Sequence, residues 1–114
     1  MSRLPNSEKA IIETEKLRGY ILSSSHPVGR FKAAVFRKLG YSSDSWDMFE
    51  KCLRDLILVQ DVANTEESTF GRKYVVEGLV KGISGKTMHI VTVWVILKGE
   101  NVPRLITAYP GGSH

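Results

Sequence analysis

The strongest constraint on the fold is a pair of β-branched runs near the C-terminus. The runs cover residues 88–97 and 102–109, and they flank Gly-Glu-Asn at residues 99–101. Such runs favour extended backbone, and the three residues between them have the composition of a hairpin loop. The sequence therefore predicts an antiparallel β-hairpin, against which the rest of the chain must pack.

Alternate residues of the first run point to opposite faces of a strand. One face is almost purely aliphatic, and we expect it to pack against helices; it comprises His89, Val91, Val93, Val95 and Leu97. The other face carries Thr92 and Trp94 and can line a groove or meet solvent. A one-residue slip in the hairpin exchanges the faces of the second run. We favour the register that sets Trp94 opposite Thr107 and Thr92 opposite Tyr109, because it gathers four polar or aromatic side chains in one predicted cleft.

The N-terminal part of the chain has helical periodicity. Apolar residues recur at helical spacing over about 14–23, 29–39 and 45–60, whereas residues 61–70 are polar and are interpreted as a loop. Alternation from residue 72 to residue 80 predicts a strand, and residues 82–86 a turn. The predicted fold class is α+β, with about three N-terminal helices on one face of a small antiparallel sheet. The sheet is a three-stranded C-terminal meander, with a short edge strand at residues 9–12 as an option. We expect a single domain over residues 1–114, with an ordered core from about 4 to 110.

Composition excludes several classes of function. The net charge of +4 permits an anionic partner without requiring one. The first six residues lack the apolar segment of a signal peptide, and no run approaches the length of a membrane span. Cys52 is the single cysteine, so no internal disulfide can form, and we expect a cytoplasmic protein in which Cys52 is a small core residue. The sequence contains no metal-ligand spacing, phosphate loop or nucleophile motif, and we expect no cofactor.

A basic cluster precedes the second predicted helix. His26 lies just before its N-terminus, and Arg30 and Lys32 lie in its first turn. Free N–H groups at that end attract anions, and two cations strengthen the attraction although they oppose the helix dipole. The alternative is that His26 caps the helix and the cations are solvated. Arg104 lies in an otherwise apolar strand. Its structural interpretation is a snorkelling edge residue or an ion pair with Glu77, and its functional interpretation is a phosphate contact or a clamp on developing negative charge.

The chain resembles a family of small uncharacterised bacterial domains. The resemblance rests on His-Pro-Val-Gly with a nearby Lys at residues 26–32, Phe-Gly-Arg-Lys-Tyr at 70–74, Thr-x-Trp at 92–94 and Pro-Arg-x-x-Thr-x-Tyr at 103–109. It covers residues 4–110. Members of that family occur as free-standing proteins and at the C-termini of large polymorphic-toxin or phage-related proteins. The resemblance implies a toxin-like context and brings no established activity with it.

A looser similarity is to ribonucleases of the barnase, EndoU, colicin and RelE type, which pack N-terminal helices on an antiparallel sheet and cleave RNA without metal. It implies a catalytic set that transfers protons and holds the phosphate: His26, Lys32, Arg104 and Thr107. It implies a substrate-binding set that contacts phosphate or stacks on a base: Arg30, Thr92, Trp94 and Tyr109. Cleavage by acid–base chemistry needs a second proton-transfer group, for which the choices are Tyr109, Lys32 and Glu77.

Two functions follow as hypotheses, together with a structural reading. The first is a metal-independent, RNA-directed nuclease or toxin-like domain, whose partners would be RNA and a cognate inhibitor. The second is a non-catalytic protein- or nucleic-acid-binding module, such as an adaptor in a toxin or phage-like system with a host-protein partner. The structural reading is a homodimer formed along an exposed edge strand.

Overall fold

The computed structural model describes residues 2–22 and 30–111, with the backbone alone described for residues 30–33. The helices are α1 (Thr14–Lys16), which continues into a π-helical turn (Leu17–Ile21), α2 (Arg30–Lys38) and α3 (Trp46–Val59). The strands are β1 (Val62–Glu67), β2 (Gly71–Lys81), β3 (Thr87–Leu97) and β4 (Arg104–Pro110). The predicted α+β class is confirmed, because the helices lie in the N-terminal half and the antiparallel sheet at the C-terminus.

The sheet has four described strands in the order β1-β2-β3-β4, and every neighbouring pair is antiparallel. The prediction of a loop over residues 61–70 is wrong, since β1 occupies most of it. Five of the six β1 residues are exposed, so the strand carries no alternation of apolar and polar residues. Its extended conformation comes from the hydrogen-bond ladder with β2 rather than from burial of one face.

The predicted N-terminal edge strand shortens to a single bridge at Ile11. The Ile11 N–H donates to the Pro103 carbonyl at 2.8 Å, and the Ile11 carbonyl accepts from the Leu105 N–H at 3.0 Å. This parallel bridge ties the N-terminus to the outer edge of β4.

The predicted hairpin register is wrong. Val93 pairs with Thr107 and Trp94 pairs with Leu105, which leaves Ile106 without a partner on β3. Ile106 is therefore the extra residue of a β-bulge. Loop composition predicts where the chain turns, but it does not reveal a bulge inside the following strand.

The helices pack on the face that carries Trp94, which is the reverse of the prediction. Ile90, Thr92 and Trp94 have no solvent exposure, and Trp94 is the largest fully buried side chain. Burial of an indole removes more apolar surface from water than burial of a valine, which favours packing of the helices on the face that carries Trp94. We call this the core face; its fully or largely buried members are Val76, Ile90, Thr92, Trp94, Leu105 and Ala108.

A glycine in β2 lies against the C-terminal end of α3. A Cβ on Gly78 would lie 3.0 Å from Leu56 Cδ1 and 3.1 Å from Gln60 Cγ. On the helix, Phe49, Leu53 and Ile57 are fully buried, as the helical spacing predicts.

At the end of α2, Gly40 has a φ of +96°, and the Tyr41 N–H donates to the Phe36 carbonyl at 3.2 Å. This arrangement ends the helix in the way that glycine after the last turn predicts. Phe36 is fully buried and Val35 is only half-buried, so the side of α2 that carries Phe36 packs into the core. Within the described ranges, no helix combines the length and apolar character that a membrane span requires.

Candidate functional site

Two residues of the predicted cleft lie in the core. The Thr92 hydroxyl donates to the Val76 carbonyl at 2.6 Å and accepts from the Trp94 indole N–H at 2.8 Å. Both side chains are fully buried, and their polar atoms are satisfied by these bonds. The structure therefore does not bring Thr92 and Trp94 together with Thr107 and Tyr109, and neither presents a surface to a substrate.

The opposite side of the sheet is a second surface, which we call the open face. The strand registers set its side chains in rows: Lys73–Val95–Arg104, Val75–Val93–Thr107, Glu77–Val91–Tyr109 and Leu79–His89. None of these residues belongs to the hydrophobic core cluster. Three residues of the predicted site, Arg104, Thr107 and Tyr109, lie on this face. The aliphatic set expected to pack against helices lies here too, which corrects that prediction.

A histidine–carboxylate pair lies on the open face. His89 Nε2 is 2.7 Å from Glu77 Oε1, and the two side chains are 28% and 38% exposed. With an ionised Glu77, His89 donates through Nε2–H and keeps Nδ1 as an acceptor. A histidine held in one tautomer by a carboxylate and open to solvent can act as a general base and, once protonated, as a general acid.

Sequence reasoning missed this pair because it assigned His89 to a buried aliphatic face. The turn at residues 82–86 could have revealed the pair. That turn sets the β2–β3 register, in which Glu77 is opposite Val91 and therefore diagonal to His89. Diagonal neighbours on one face lie within reach of long side chains.

The backbone after β4 packs against the His89 ring. The Gly111 N–H donates to the His89 carbonyl at 2.7 Å. A Cβ on Gly111 would overlap Cδ2 of the imidazole. Glycine at this position therefore allows the chain to cover one side of the ring.

Two cations lie at the other end of the open face. Arg104 Nε is 3.2 Å from Glu100 Oε1, and the arginine side chain is 37% exposed. The predicted pairing of Arg104 with Glu77 is wrong, because Glu77 bonds to His89. Lys73 lies in the same row as Arg104, across Val95. An ion pair this exposed contributes little to stability, so a phosphate can replace the Glu100 carboxylate at small energetic cost.

Thr107 lies between these cations and the histidine pair. Its Oγ1 is buried and has no hydrogen-bond partner among the described residues. Buried hydroxyls almost always have a partner, so this position requires one that the described part of the chain does not supply. Packing alone therefore does not account for a threonine here.

The side chains of the basic cluster at the start of α2 lie outside the described part of the structure. His26 is not among the described residues, and for Arg30 and Lys32 the described backbone lies in the first turn of α2. The catalytic and binding roles of these three residues stay predictions. Across the described ranges, no group of three or more histidine, cysteine or acidic side chains could hold a metal ion.

A pocket of about 450 Å³ lies between α3 and the C-terminal end of β2; Leu79, which pairs with His89 across the strands, borders it, whereas no residue of the Thr107 row does. Tyr41 and Cys52 are among the residues that line it. Burial raises the pKa of the Cys52 thiol to about 11 and the pKa of the Tyr41 hydroxyl to about 12. Cys52 is thus a neutral thiol near pH 7 and packs against the core, as predicted, rather than serving as a nucleophile.

Comparison with known proteins identifies the fold and the family. No curated protein sequence matches this chain. The fold is similar to that of one chain of a contact-dependent growth inhibition toxin–immunity protein complex from Klebsiella pneumoniae 342. The TM-score is 0.72 at 16% sequence identity, over 94% of this chain and 97% of the other, and at that identity the likeness concerns the fold alone. The sequence matches the domain of unknown function DUF6883 over residues 3–112, so the chain belongs to the DUF6883 family.

Proposed function

We propose that this domain is a metal-independent, RNA-directed nuclease of toxin-like type whose site is the open face. One observation carries the proposal. A His89–Glu77 pair at 2.7 Å lies on the same sheet face as Arg104, Lys73 and the Thr107 hydroxyl, which has no hydrogen-bond partner among the described residues. Proton transfer and phosphate binding, the two requirements of metal-free phosphodiester cleavage, are thus available on one surface.

The reaction uses the ribose 2′-hydroxyl of the substrate as nucleophile. His89 Nδ1 removes the 2′-OH proton, the 2′-oxygen bonds to phosphorus, and the P–O5′ bond breaks to leave a 2′,3′-cyclic phosphate. A second group donates a proton to the departing 5′-oxygen. Tyr109 is one candidate for that group, and His26, whose role the ribonuclease resemblance implies, is the other. Glu77 holds the His89 tautomer and stabilises the imidazolium that forms.

The cations and the hydroxyl act on the phosphate. Arg104 and Lys73 neutralise the charge that builds up on the non-bridging oxygens, and a guanidinium can bind two of these oxygens at once. The Thr107 hydroxyl supplies a further donor once a ligand gives it a partner. The toxin–immunity complex that shares the fold supports a toxin-like setting, and the chain's basic balance favours an RNA substrate.

The test is cleavage of a labelled RNA oligonucleotide in EDTA. We expect cyclic-phosphate products from RNA and no cleavage of an oligonucleotide of the same sequence with 2′-deoxyribose, since the nucleophile is then missing. His89→Ala should lower the rate about 10²–10⁴-fold, the usual contribution of a general base. Arg104→Ala should also lower the cleavage rate, because it removes a cation that stabilises the charge on the phosphate.

Matched variants test the choice of site residues separately from the presence of nuclease activity. Lys73→Ala should reduce cleavage, whereas Arg72→Ala, a neighbouring exposed cation on the other side of β2, should not. Intact RNA at high protein concentration would exclude the nuclease. Cleavage that survives His89→Ala and disappears with His26→Ala would keep the nuclease and exclude His89 as its base.

A non-catalytic binding module is the second candidate, and the pocket beside α3 favours it. Three large apolar side chains around that pocket are exposed: Met48, Val59 and Leu79. Protein that expresses at high yield in healthy cells and leaves RNA intact would support this function.

A further inference from the structure

The pocket beside α3 adjoins a strand edge that no described strand covers. β1 pairs with β2 from Arg72 to Val76, but β2 continues to Lys81. Beyond Val76, β2 therefore has a described strand on one side only, which is β3. The part of the β2 edge that has no β1 partner begins next to the junction between α3 and β1.

The hydrogen-bonding groups of this edge can be assigned from the register. In an antiparallel pair, successive residues direct their main-chain groups to opposite neighbours. The Gly82 N–H donates to the Lys86 carbonyl at 2.9 Å, so even-numbered residues at this end of β2 bond toward β3. Leu79 and Lys81 therefore direct their N–H and C=O groups away from β3, and no described strand pairs with them on that side.

The side chains around the edge have a defined chemistry. Met48 and Val59 on α3, and Leu79 on β2, are 51%, 62% and 70% exposed and border the pocket. The lysines at the rim are Lys51, whose side chain is 78% exposed, and Lys81, which is also exposed. Asp55 bonds to Lys51 at 3.0 Å and offsets one of the two charges, so the rim keeps a net positive charge.

We propose that this groove binds an extended segment of a partner protein, which adds to the edge of β2 as a strand beside Leu79 and Lys81. The segment places an apolar side chain in the pocket and a carboxylate near Lys81. Free main-chain groups recognise an extended backbone, the pocket recognises one side chain, and the lysines favour an acidic one. The proposal is independent of the nuclease, because the pocket lies away from the Arg104 and Thr107 rows and the binding requires no catalysis.

The first experiment selects from a displayed library of random linear peptides on the folded, full-length chain. We expect enriched peptides that alternate apolar residues and carry Asp or Glu beside one of them. Hydrogen–deuterium exchange with a selected synthetic peptide should then slow the Leu79 and Lys81 amides about tenfold or more. The Thr65 and Glu67 amides, which lie on the outward edge of β1, should keep their rates.

Two proline variants test the strand edge directly. Leu79→Pro removes an N–H that does not bond to β3, so the β2–β3 ladder keeps its hydrogen bonds, and peptide affinity should fall about tenfold. Thr65→Pro makes the same change on the outward edge of β1 and should leave affinity unchanged. Lys81→Glu tests the groove without a backbone change, and it should weaken binding of an acidic peptide about tenfold.

Several results would overturn the proposal. The first is a selection that enriches no peptide. The second is peptide affinity that is the same for wild type, Lys81→Glu and Leu79→Pro. The third is peptide-induced amide protection on another surface. Concentration-dependent self-association that protects Leu79 and Lys81 without peptide would assign the edge to a second copy and would also overturn it.

Discussion

On the core face of the sheet, the Thr92 hydroxyl and the Trp94 indole N–H are buried and bonded to one another. On the open face, the Thr107 hydroxyl is buried without a described partner, while His89 and Glu77 bond to each other at partial exposure. Both faces belong to the same strands, along which successive side chains point to opposite faces except at the bulge in β4. Polar groups on the core face are explained by the packing that surrounds them, and those on the open face are not. The open face is therefore the candidate functional surface of the sheet.

Removal of the largest buried side chain should give the largest difference between the faces. Trp94→Ala should lower the free energy of unfolding by about 3–5 kcal/mol, because a fully buried indole leaves a large cavity. Val93→Ala, the neighbouring residue on the open face, should cost much less because its side chain is only half-buried. Urea denaturation measures both, and comparable losses would contradict the assignment of faces.

A pair of threonine-to-valine variants tests the polar groups. Thr92→Val should cost about 1–3 kcal/mol, since it leaves the Trp94 N–H buried without an acceptor. Thr107→Val removes a hydroxyl that has no described partner, so stability should stay unchanged or rise by about 1 kcal/mol. If both variants destabilised the protein equally, Thr107 would have a structural partner. Under the proposed function, Thr107→Val should still slow RNA cleavage.

A smaller effect is expected where the chain crosses His89. Gly111→Ala should displace the imidazole and cost about 1 kcal/mol, the low end of overpacking effects. Gly85→Ala is the contrast: its Cβ would meet no atom within 4 Å, so any cost there comes from the positive φ of 87°. NMR of the imidazole protons checks the first variant, and an unchanged His89 spectrum would exclude the contact.

A further effect concerns pH. The pKa of Cys52 rises from 9.0 to about 11 and that of Tyr41 from 10.0 to about 12, both mainly through burial. The folded chain thus retains protons that the unfolded chain loses, and the free energy of unfolding should fall as pH rises from about 9 toward 12. Urea titrations at several pH values measure this slope, which the double variant Cys52→Ala/Tyr41→Phe should flatten. An identical slope in the variant would assign the alkaline loss to other groups.

The raised pKa of Cys52 also predicts that its thiol reacts slowly. At pH 8 the thiolate fraction for a pKa of about 11 is roughly a hundredth of that for 9.0, and the greater nucleophilicity of the more basic thiolate offsets about tenfold of this difference. The reaction of Cys52 with a disulfide reagent should therefore be about tenfold slower in the folded protein than in urea. Equal rates would show that Cys52 is exposed.

Helices, strand β2 and the hairpin turn could be predicted from the sequence because each leaves a periodic pattern or a turn composition. β1 could not, because an exposed edge strand buries no face and its Asn64, Glu66 and Glu67 are poor strand formers. The faces of β3 were exchanged because aliphatic content was taken as the sign of burial, whereas both faces of β3 are largely apolar and the helices pack on the one that carries Trp94. The predicted site accordingly kept Arg104, Thr107 and Tyr109 on one surface and lost Thr92 and Trp94.

The bulge gives this hairpin one position at which chain length is free to change. In a strand of period two, removal of a residue normally turns every later side chain to the opposite face. Ile106 is the exception, because it has no partner on β3. A deletion there would leave Arg104 across from Val95 and Thr107 across from Val93, whereas a deletion at Ala108 would carry Tyr109 to the core. Related chains can therefore differ by one residue between the arginine and the threonine and still display the same surface.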